Sequence, residues 1–191
     1  MSLLKIIKYG HPILREKALE IKSLGSREQD LIDSMIETMY ANHGLGLAAN
    51  QVGVLQRIFV LDVDQDREAE DEVATRAPRV FINPEITWES AEDEPFKEGC
   101  LSIPGVENEV FRPSQVKVSA RDENFEPFEV EADELLARVI QHELDHLNGV
   151  LYVDRLSLLK RKLLGGKLNK IKSATMEELP SLPDSYPILI G

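Results

Sequence analysis

Residues 141–146, with the sequence Gln-His-Glu-Leu-Asp-His, constrain the chain more than any other segment. On a helix, His142 and His146 lie on one face, one turn apart, because residues four positions apart are neighbours on a helix surface. This spacing allows two imidazoles to bind one metal ion, with Glu143 beside them as a general base. The same pattern also occurs by chance in solvent-exposed helices. The surrounding residues therefore decide between a metal site and a solvated surface.

A helix is predicted around the two histidines. It begins after Asp133, a suitable N-cap, and ends at Leu147, before the stop signals at residues 148–149. Four apolar residues fall on one stripe, the predicted core face: Leu136, Ile140, Leu144 and Leu147. The histidines share the neighbouring stripe with Leu135 and Val139, which favours a ligand pocket over a solvated surface. Asp145 is either a partner that orients a ligating imidazole or a charged surface residue.

Other segments show local signals of secondary structure. Residues 116–120 and 128–131 alternate in polarity around residues 122–124, which is typical of a β-hairpin. A further helix is predicted to begin at Ser26. Short strands are predicted at residues 57–63, at residues 80–83 with an end at Pro84, and at residues 150–153.

The length of 191 residues suits one domain. Residues 1–172 are predicted to form it, including a basic helix at residues 155–172 that contains seven Lys or Arg and no Asp or Glu. Residues 173–191, which contain prolines, are predicted to form an extended or disordered tail. Residues 64–72 carry six acidic residues and are expected to form a solvated loop rather than a calcium site.

The charge and apolar content of the chain exclude several functions. Asp and Glu outnumber Lys and Arg by 34 to 22, and a net charge of −12 argues against DNA as a partner. No apolar run approaches the roughly 20 residues of a membrane span, so no membrane partner is expected. With one cysteine, an internal disulfide is impossible, and the cytoplasm is the expected compartment.

A glycine-containing segment lies at residues 44–51. Residues 44–49 match the letters G-x-G-x-x-A of a dinucleotide fingerprint, but a helix precedes them and a strand follows, which is the wrong context. The glycines instead suggest backbone held close to a ligand, and Gln51 can donate a hydrogen bond into a pocket. His11 is interpreted as a structural or surface residue, and His43 is left out of the site because it has no neighbour at ligand spacing.

A catalytic metal usually has three protein ligands, so a third ligand is needed. No histidine follows His146, and the first glutamate downstream is Glu177, in the predicted tail. Cys100 lies upstream, in a segment bounded by glycine and proline. A lone cysteine is often a small buried apolar residue. Given the histidine pair, a Cys-His-His site is the favoured interpretation.

Three motifs together resemble those of the peptide deformylases. They are G-x-G-x-A-A-x-Q at residues 44–51, E-G-C-x-S at residues 98–102 and Q-H-E-x-D-H at residues 141–146. The resemblance runs from about His11 to Leu156. It implies an α+β fold in which a central metal-binding helix packs against antiparallel β-sheets. It also implies hydrolytic removal of the N-formyl group from the formylmethionine terminus of new proteins.

The resemblance also implies roles for individual residues. Cys100, His142 and His146 would bind the metal, and a metal-bound hydroxide would attack the formyl carbon and release formate. Glu143 would act as the general base and then pass its proton to the departing amine. The Gln51 amide and the backbone N–H of Leu101 would stabilise the oxyanion together with the metal.

Substrate binding is assigned to residues near this centre. Leu45, Gly46 and Gly99 are expected to contact the peptide, with backbone hydrogen bonds from the first two. Leu135 and Val139 are the candidates for the methionine pocket, and Arg138 is expected at its rim.

The metal and the partners follow from the ligands and from the resemblance. Thiolate and imidazole suit Fe, Zn, Co or Ni, and the family resemblance implies Fe²⁺ in cells, with Zn²⁺, Ni²⁺ or Co²⁺ as substitutes. The basic segment 155–172 is a candidate for docking on the ribosome, although it is also compatible with an ordinary solvated helix. An intracellular metallopeptidase and a catalytically silent binding module are the competing interpretations.

Overall fold

The computed structural model describes residues 3–65 and 75–179. These residues form three α-helices: α1 (Ser26–Ala41), α2 (Glu134–Leu147) and α3 (Leu158–Glu178). The same described ranges contain seven β-strands: β1 (Gly46–Ala48), β2 (Ile58–Leu61), β3 (Arg79–Glu89), β4 (Asp93–Cys100), β5 (Ile103–Pro113), β6 (Gln115–Arg121) and β7 (Pro127–Asp133). Short 3₁₀ helices lie at Pro12–Arg15, Ala49–Val52 and Tyr152–Asp154.

The strands form two antiparallel sheets. Five strands pair in the order β1-β2-β3-β6-β7, and β4 and β5 pair with each other. The predicted hairpin is confirmed as β6 and β7, with Val118 opposite Val130. Helix α2 contacts β1, β2 and β7 of the larger sheet and also β5 of the smaller one. The α+β prediction, with a central helix against antiparallel sheets, is therefore confirmed.

Helix α2 lies at the centre of the molecule. Its bounds are those predicted, with Asp133 at the N-cap and Leu147 as the last residue. Every residue from 137 to 147 is buried, on all sides of the helix, whereas the predicted core residue Leu136 is only half-buried. Burial of a polar side chain costs free energy unless it has partners. The polar residues of α2 therefore require partners or a ligand inside the protein.

Strand β3 continues beyond its predicted end at Pro84 and reaches Glu89. Its register with β6 shifts between Ile82 and Glu85, and Asn83 has a φ of 51°. A bulge accommodates proline in a strand, because the missing N–H falls where the pairing is already interrupted. The sequence-based end of the strand was therefore wrong.

Residues 150–153 do not form the predicted strand. Tyr152–Asp154 is a 3₁₀ turn, stabilised by a hydrogen bond of 2.9 Å from the Leu151 N–H to Oδ2 of Asp154.

Helix α3 is longer than predicted. Ser157 is its N-cap, and its side chain accepts a hydrogen bond of 3.3 Å from the Lys160 N–H. The helix continues to Glu178, so residues 173–178 are helical and not part of an extended tail. Burial of Leu168 and Thr175 against the domain explains why the glycines at residues 165–166 do not end the helix. Residues 66–74, in the acidic segment, and residues 180–191 lie outside the described part of the chain.

Within the described ranges, no helix is both long and apolar enough to cross a membrane.

Candidate metal centre and active site

Cys100, His142 and His146 lie together at the centre of the protein. Cys100 is the last residue of β4, and the two histidines project from α2. Their ligand atoms all lie within 4.8 Å of one another, and Sγ of Cys100 is 3.2 Å from Nε2 of His146. The structure thus brings together the three residues that the sequence identified as candidate ligands. One thiolate and two imidazoles are a donor set that suits a zinc-like or ferrous ion.

Glu98 holds one of the histidines in place. Its Oε2 lies 2.9 Å from Nδ1 of His142. A carboxylate on the second ring nitrogen of a histidine orients the ring and raises its basicity as a ligand. Sequence reasoning quoted Glu98 within a motif but gave it no role. Side chains two residues apart lie on the same face of a strand. The position of Glu98 two residues before Cys100 could therefore have indicated that it lies near the ligands.

A fully buried arginine links Glu98 to Asp145. Arg112 donates two hydrogen bonds to the Glu98 carboxylate, at 2.7 Å and 2.9 Å, and one of 2.6 Å to Asp145. Arg155 donates two more to Asp145, both of 2.6 Å. Asp145 is therefore buried rather than on the surface, and Arg112 and Glu98 connect it to His142. Nothing in the local sequence around Arg112 indicated this role.

Glu143 lies next to the cluster with an unused carboxylate oxygen. It is only 4% exposed, and Oε2 has no hydrogen-bond partner among the described residues. A Cβ placed on Gly46 would lie 2.6 Å from Oε1 of Glu143. Only glycine at residue 46 leaves room for the carboxylate in this position. Nδ1 of His146 is also buried without a partner in the described chain.

Burial and nearby charges shift the pKa values of these groups. Burial raises the pKa of Glu143 to about 7, although the charges of His142 and Arg112 oppose the change. Burial disfavours the charged form of Glu98, but its hydrogen bonds to His142 and Arg112 outweigh burial and hold its pKa well below the usual range. A carboxyl group with a pKa near 7 can accept and return a proton at neutral pH.

The pKa values of the two histidines are shifted in opposite directions. Burial lowers the pKa of His142, but hydrogen bonds to Cys100 and Glu98 outweigh it and raise the value to about 10. Burial and the positive charge of His142 lower the pKa of His146 well below its ordinary value. The positive charge of one imidazolium thus disfavours a second one beside it, as expected for groups that share one site.

Gln51 is held with its amide nitrogen towards the cluster. Its Oε1 accepts a hydrogen bond of 2.9 Å from the Ala48 N–H. Its Nε2 donates to Oγ of Ser102 at 3.1 Å and lies 3.5 Å from Sγ of Cys100. The side chain is thus fixed as a donor next to the thiol.

A cavity of about 890 Å³ opens onto the cluster. Eleven of the residues that the sequence assigned to the site line it: Leu45, Gly46, Gln51, Gly99, Cys100, Leu101, Leu135, Arg138, Val139, His142 and Glu143. His146 lies behind them, almost fully buried. The cavity also includes Phe96, Lys8 and His43, which sequence reasoning did not place in the site.

Arg138 is a structural part of the cavity wall and not a free charge at its rim. It donates hydrogen bonds to Glu98 at 3.2 Å and to the carbonyl oxygen of Glu94 at 2.6 Å. Its guanidinium lies over the ring of Phe96, 5.7 Å from the ring centroid. The positive charge of Arg138 is therefore largely compensated by partners within the protein.

Three side chains that could hold a metal ion, beside a buried glutamate whose Oε2 has no partner in the described chain, are typical of metal-dependent hydrolases. Comparison with known proteins defines the class further. The family model described as "Polypeptide deformylase" matches residues 3–162. A peptide deformylase of Azotobacter vinelandii is 47% identical over 170 residues, which are 89% of this chain and 96% of that protein.

Solved structures agree with this result. A crystal structure of a peptide deformylase from Legionella pneumophila has a TM-score of 0.80 and 39% identity, covering 91% of this chain and 97% of that one. A peptide deformylase of Arabidopsis thaliana, crystallised with an inhibitor, has a TM-score of 0.84 and 35% identity, covering 95% and 97%. The chain belongs to the polypeptide deformylase family. It is a hydrolase that removes the N-formyl group from the N-termini of nascent chains.

Proposed function

We propose that Cys100, His142 and His146 bind one divalent metal ion and that Glu143 is the general base of deformylation. The observation that carries this proposal is the convergence of three ligand atoms within 4.8 Å, beside a buried carboxylate oxygen that has no described partner. The donor set fits a metal, and Glu98 already orients His142 in the manner of a ligand. A bound ion of this kind lowers the pKa of water from 15.7 towards about 7 and so supplies hydroxide at neutral pH.

We propose Fe²⁺ as the metal in cells, with Zn²⁺, Ni²⁺ or Co²⁺ as possible replacements in purified protein. The softness of the thiolate and imidazole ligands does not discriminate among these four ions. The choice of iron comes from the family resemblance, and a thiolate-bound ferrous site predicts sensitivity to oxygen. Activity of the iron form that survives prolonged aeration without a reductant would contradict it.

Glu143 is proposed to move the proton of the reaction. With a pKa raised to about 7 by burial, its carboxylate accepts a proton from the attacking water and returns it to the amine that leaves. The carboxylate lies against the backbone of Gly46, in space that any other side chain at residue 46 would occupy. A confined base needs little reorganisation in the transition state.

Gln51 and Leu101 are proposed to stabilise the oxyanion that forms from the formyl oxygen. The hydrogen bond from the Ala48 N–H fixes the Gln51 carbonyl, so its amide N–H groups face Cys100 and Ser102. Leu101 follows Cys100 directly and lines the cavity. Donors held in advance near the developing charge are worth most in a site that excludes water.

The peptide substrate is proposed to bind along strand β1. β1 is an edge strand of the larger sheet, so Gly46 and the N–H of the preceding Leu45 are proposed to offer backbone groups to an extended peptide. Gly99 on β4 is proposed to contact the peptide from the other side. Leu135 and Val139, next to Arg138, are proposed to contact the methionine side chain.

Formate release from formyl-Met-Ala-Ser by anaerobically purified protein tests these roles. The Glu143→Ala variant is expected to lose activity while metal analysis shows that the ion is retained. Acetyl-Met-Ala-Ser and an unmodified protein serve as further substrates. Cleavage of internal bonds in the protein would instead support a metallopeptidase, and formate release by Glu143→Ala at the wild-type rate would remove Glu143 as the base.

We further propose that α3 docks on the ribosome in the cytoplasm, where formylated nascent chains emerge. Its first turns carry exposed Leu158, Leu159 and Leu163 among lysine and arginine residues. Ribosomal RNA is anionic, and such attraction weakens with salt. Charge reversal of the exposed Lys162 and Lys170 should weaken co-sedimentation with ribosomes without changing formate release from a tripeptide. Unchanged co-sedimentation would contradict docking through α3.

A further inference from the structure

The N-terminal segment lies between two of the three motifs that form the active site. The Ile7 N–H donates a hydrogen bond of 2.7 Å to the carbonyl oxygen of Gln51. The Tyr9 N–H donates one of 2.8 Å to the carbonyl oxygen of Ser102. The segment therefore ties together the 3₁₀ turn that carries Gln51 and the turn that follows Cys100.

The side chain of Lys8 extends this connection into the active site. Its Nζ donates a hydrogen bond of 2.7 Å to the carbonyl oxygen of Leu101. Lys8 is half-buried and lines the same cavity as Leu101 and Glu143. Two successive carbonyl groups of the turn, those of Leu101 and Ser102, are thus held by Lys8 and Tyr9.

The hydrogen bond from Lys8 to the Leu101 carbonyl has a charged donor. A hydrogen bond from a charged donor is roughly twice as strong as one between neutral groups. Burial lowers the pKa of Lys8, while the charge of Cys100 opposes that change. A solvated surface lysine would show neither the burial nor the bond to a backbone carbonyl next to a candidate metal ligand. Lys5, by contrast, pairs at the surface with Glu178, with side chains 47% and 66% exposed.

We infer that Lys8 is a positioning residue for deformylation, which holds the turn at residues 100–102 so that the Leu101 N–H faces the formyl oxygen of the substrate. This inference rests on the proposed role of Leu101. A backbone N–H can stabilise an oxyanion only if its peptide plane is held in one orientation. The Lys8 ammonium fixes the carbonyl group of Leu101, which belongs to the next peptide plane, and so limits rotation of the Leu101 backbone that would turn its N–H away.

The test compares Lys8→Met and Lys8→Arg with Lys5→Met as the matched control. In Lys8→Met, kcat for formyl-Met-Ala-Ser should fall about 10-fold with KM within about twofold, less than the 10²–10³-fold cost of losing an oxyanion donor outright. A loss confined to the transition state lowers kcat and kcat/KM together. Lys8→Arg, which retains a charged donor, should recover most of the rate. Lys5→Met should match the wild type, and metal content should be equal in all four proteins.

Amide hydrogen exchange provides a readout that does not depend on turnover. The peptide that covers residues 100–103 should exchange at least about fivefold faster in Lys8→Met than in the wild type, because local opening follows the loss of the restraint. Lys5→Met should leave it unchanged. Normal exchange, a kcat within twofold of wild type, or a rise in KM alone would overturn the inference. If the wild type releases no formate, the proposed function fails, while exchange still decides whether Lys8 restrains the turn.

Discussion

The carboxylate of Glu98 lies 2.9 Å from Nδ1 of His142 and accepts two hydrogen bonds from the buried guanidinium of Arg112. The ring of a candidate metal ligand is thus held by a chain of charges that continues to Asp145 and Arg155. Helix α2 supplies two members of this chain, β4 and β5 supply one each, and Arg155 directly follows the 3₁₀ helix Tyr152–Asp154. The small sheet and the central helix are therefore joined by ion pairs directly behind the site.

Replacing Glu98 should weaken metal binding. Glu98→Gln removes the charge that orients His142, and loss of such a partner typically costs 10–100-fold in metal affinity or activity. Competition with a chelator, followed by metal analysis, measures the change. Glu131→Gln is the control, because Glu131 pairs with Lys117 on the exposed surface of β7. Equal metal affinity in both variants would show that Glu98 does not act through His142.

Removing Arg112 should destabilise the fold. Arg112→Met leaves two buried carboxylates with less compensation, and breaking a buried pair in this way costs about 3–5 kcal/mol. A loss at the lower end of this range is expected, because both carboxylates retain an ion pair. Glu98 still pairs with Arg138, and Asp145 still pairs with Arg155. Urea unfolding measures the free energy. Arg155→Met, a partly exposed arginine bound to the same Asp145, should lose no more than about 1 kcal/mol. A larger loss from Arg155 than from Arg112 would refute this ranking.

Gly46→Ala should impair catalysis more than folding. The new Cβ would lie 2.6 Å from Oε1 and 2.8 Å from Cγ of Glu143, so the carboxylate must move. A displacement of about 1 Å in a reacting group can lower the rate 10²-fold. Gly165→Ala is the control, because a Cβ at that helical position meets no atom within 4 Å. Steady-state formate release distinguishes the two, and wild-type kcat in Gly46→Ala would contradict the contact.

Asp154 should contribute to stability in a pH-dependent way. Burial disfavours its charged form, but hydrogen bonds from Arg15 and from the Leu151 N–H, with the charge of Arg161, lower its pKa in the folded state. The unfolded value is about 3.9, so the contribution is complete above that pH and is lost as the pH falls through the folded pKa.

The Asp154→Asn variant isolates this contribution. Compared with the wild type, it should lose about 1 kcal/mol at pH 7, the scale of a partly exposed ion pair, and less at pH 3. Urea midpoints at the two pH values give the difference. Asp30→Asn, at an exposed position on α1, is the control variant. A deficit for Asp154→Asn that is as large at pH 3 as at pH 7 would contradict the assigned cause.

Local patterns in the sequence were sufficient to predict the family, the bounds of helix α2 and the candidate ligands. The spacing of His142 and His146 follows directly from the helical repeat, and Asp133 and residues 148–149 set the ends of the helix through short-range hydrogen bonding. The hairpin of β6 and β7 was predicted because alternation with a turn is equally local. The roles of Gln51, Leu101 and the substrate-binding residues remain predictions.

Only the tertiary structure revealed which charges support the site. Glu98 and Arg112 are 14 residues apart, and Lys8 and Leu101 are 93 residues apart, so no local repeat connects them. Packing also decided where elements end: a bulge carries β3 past Pro84, and burial of Leu168 and Thr175 extends α3 to Glu178. Spacing along the chain was enough to identify the candidate ligands and the candidate base. Their orientation depends on long-range contacts that exist only after folding, when burial makes each unpaired charge costly.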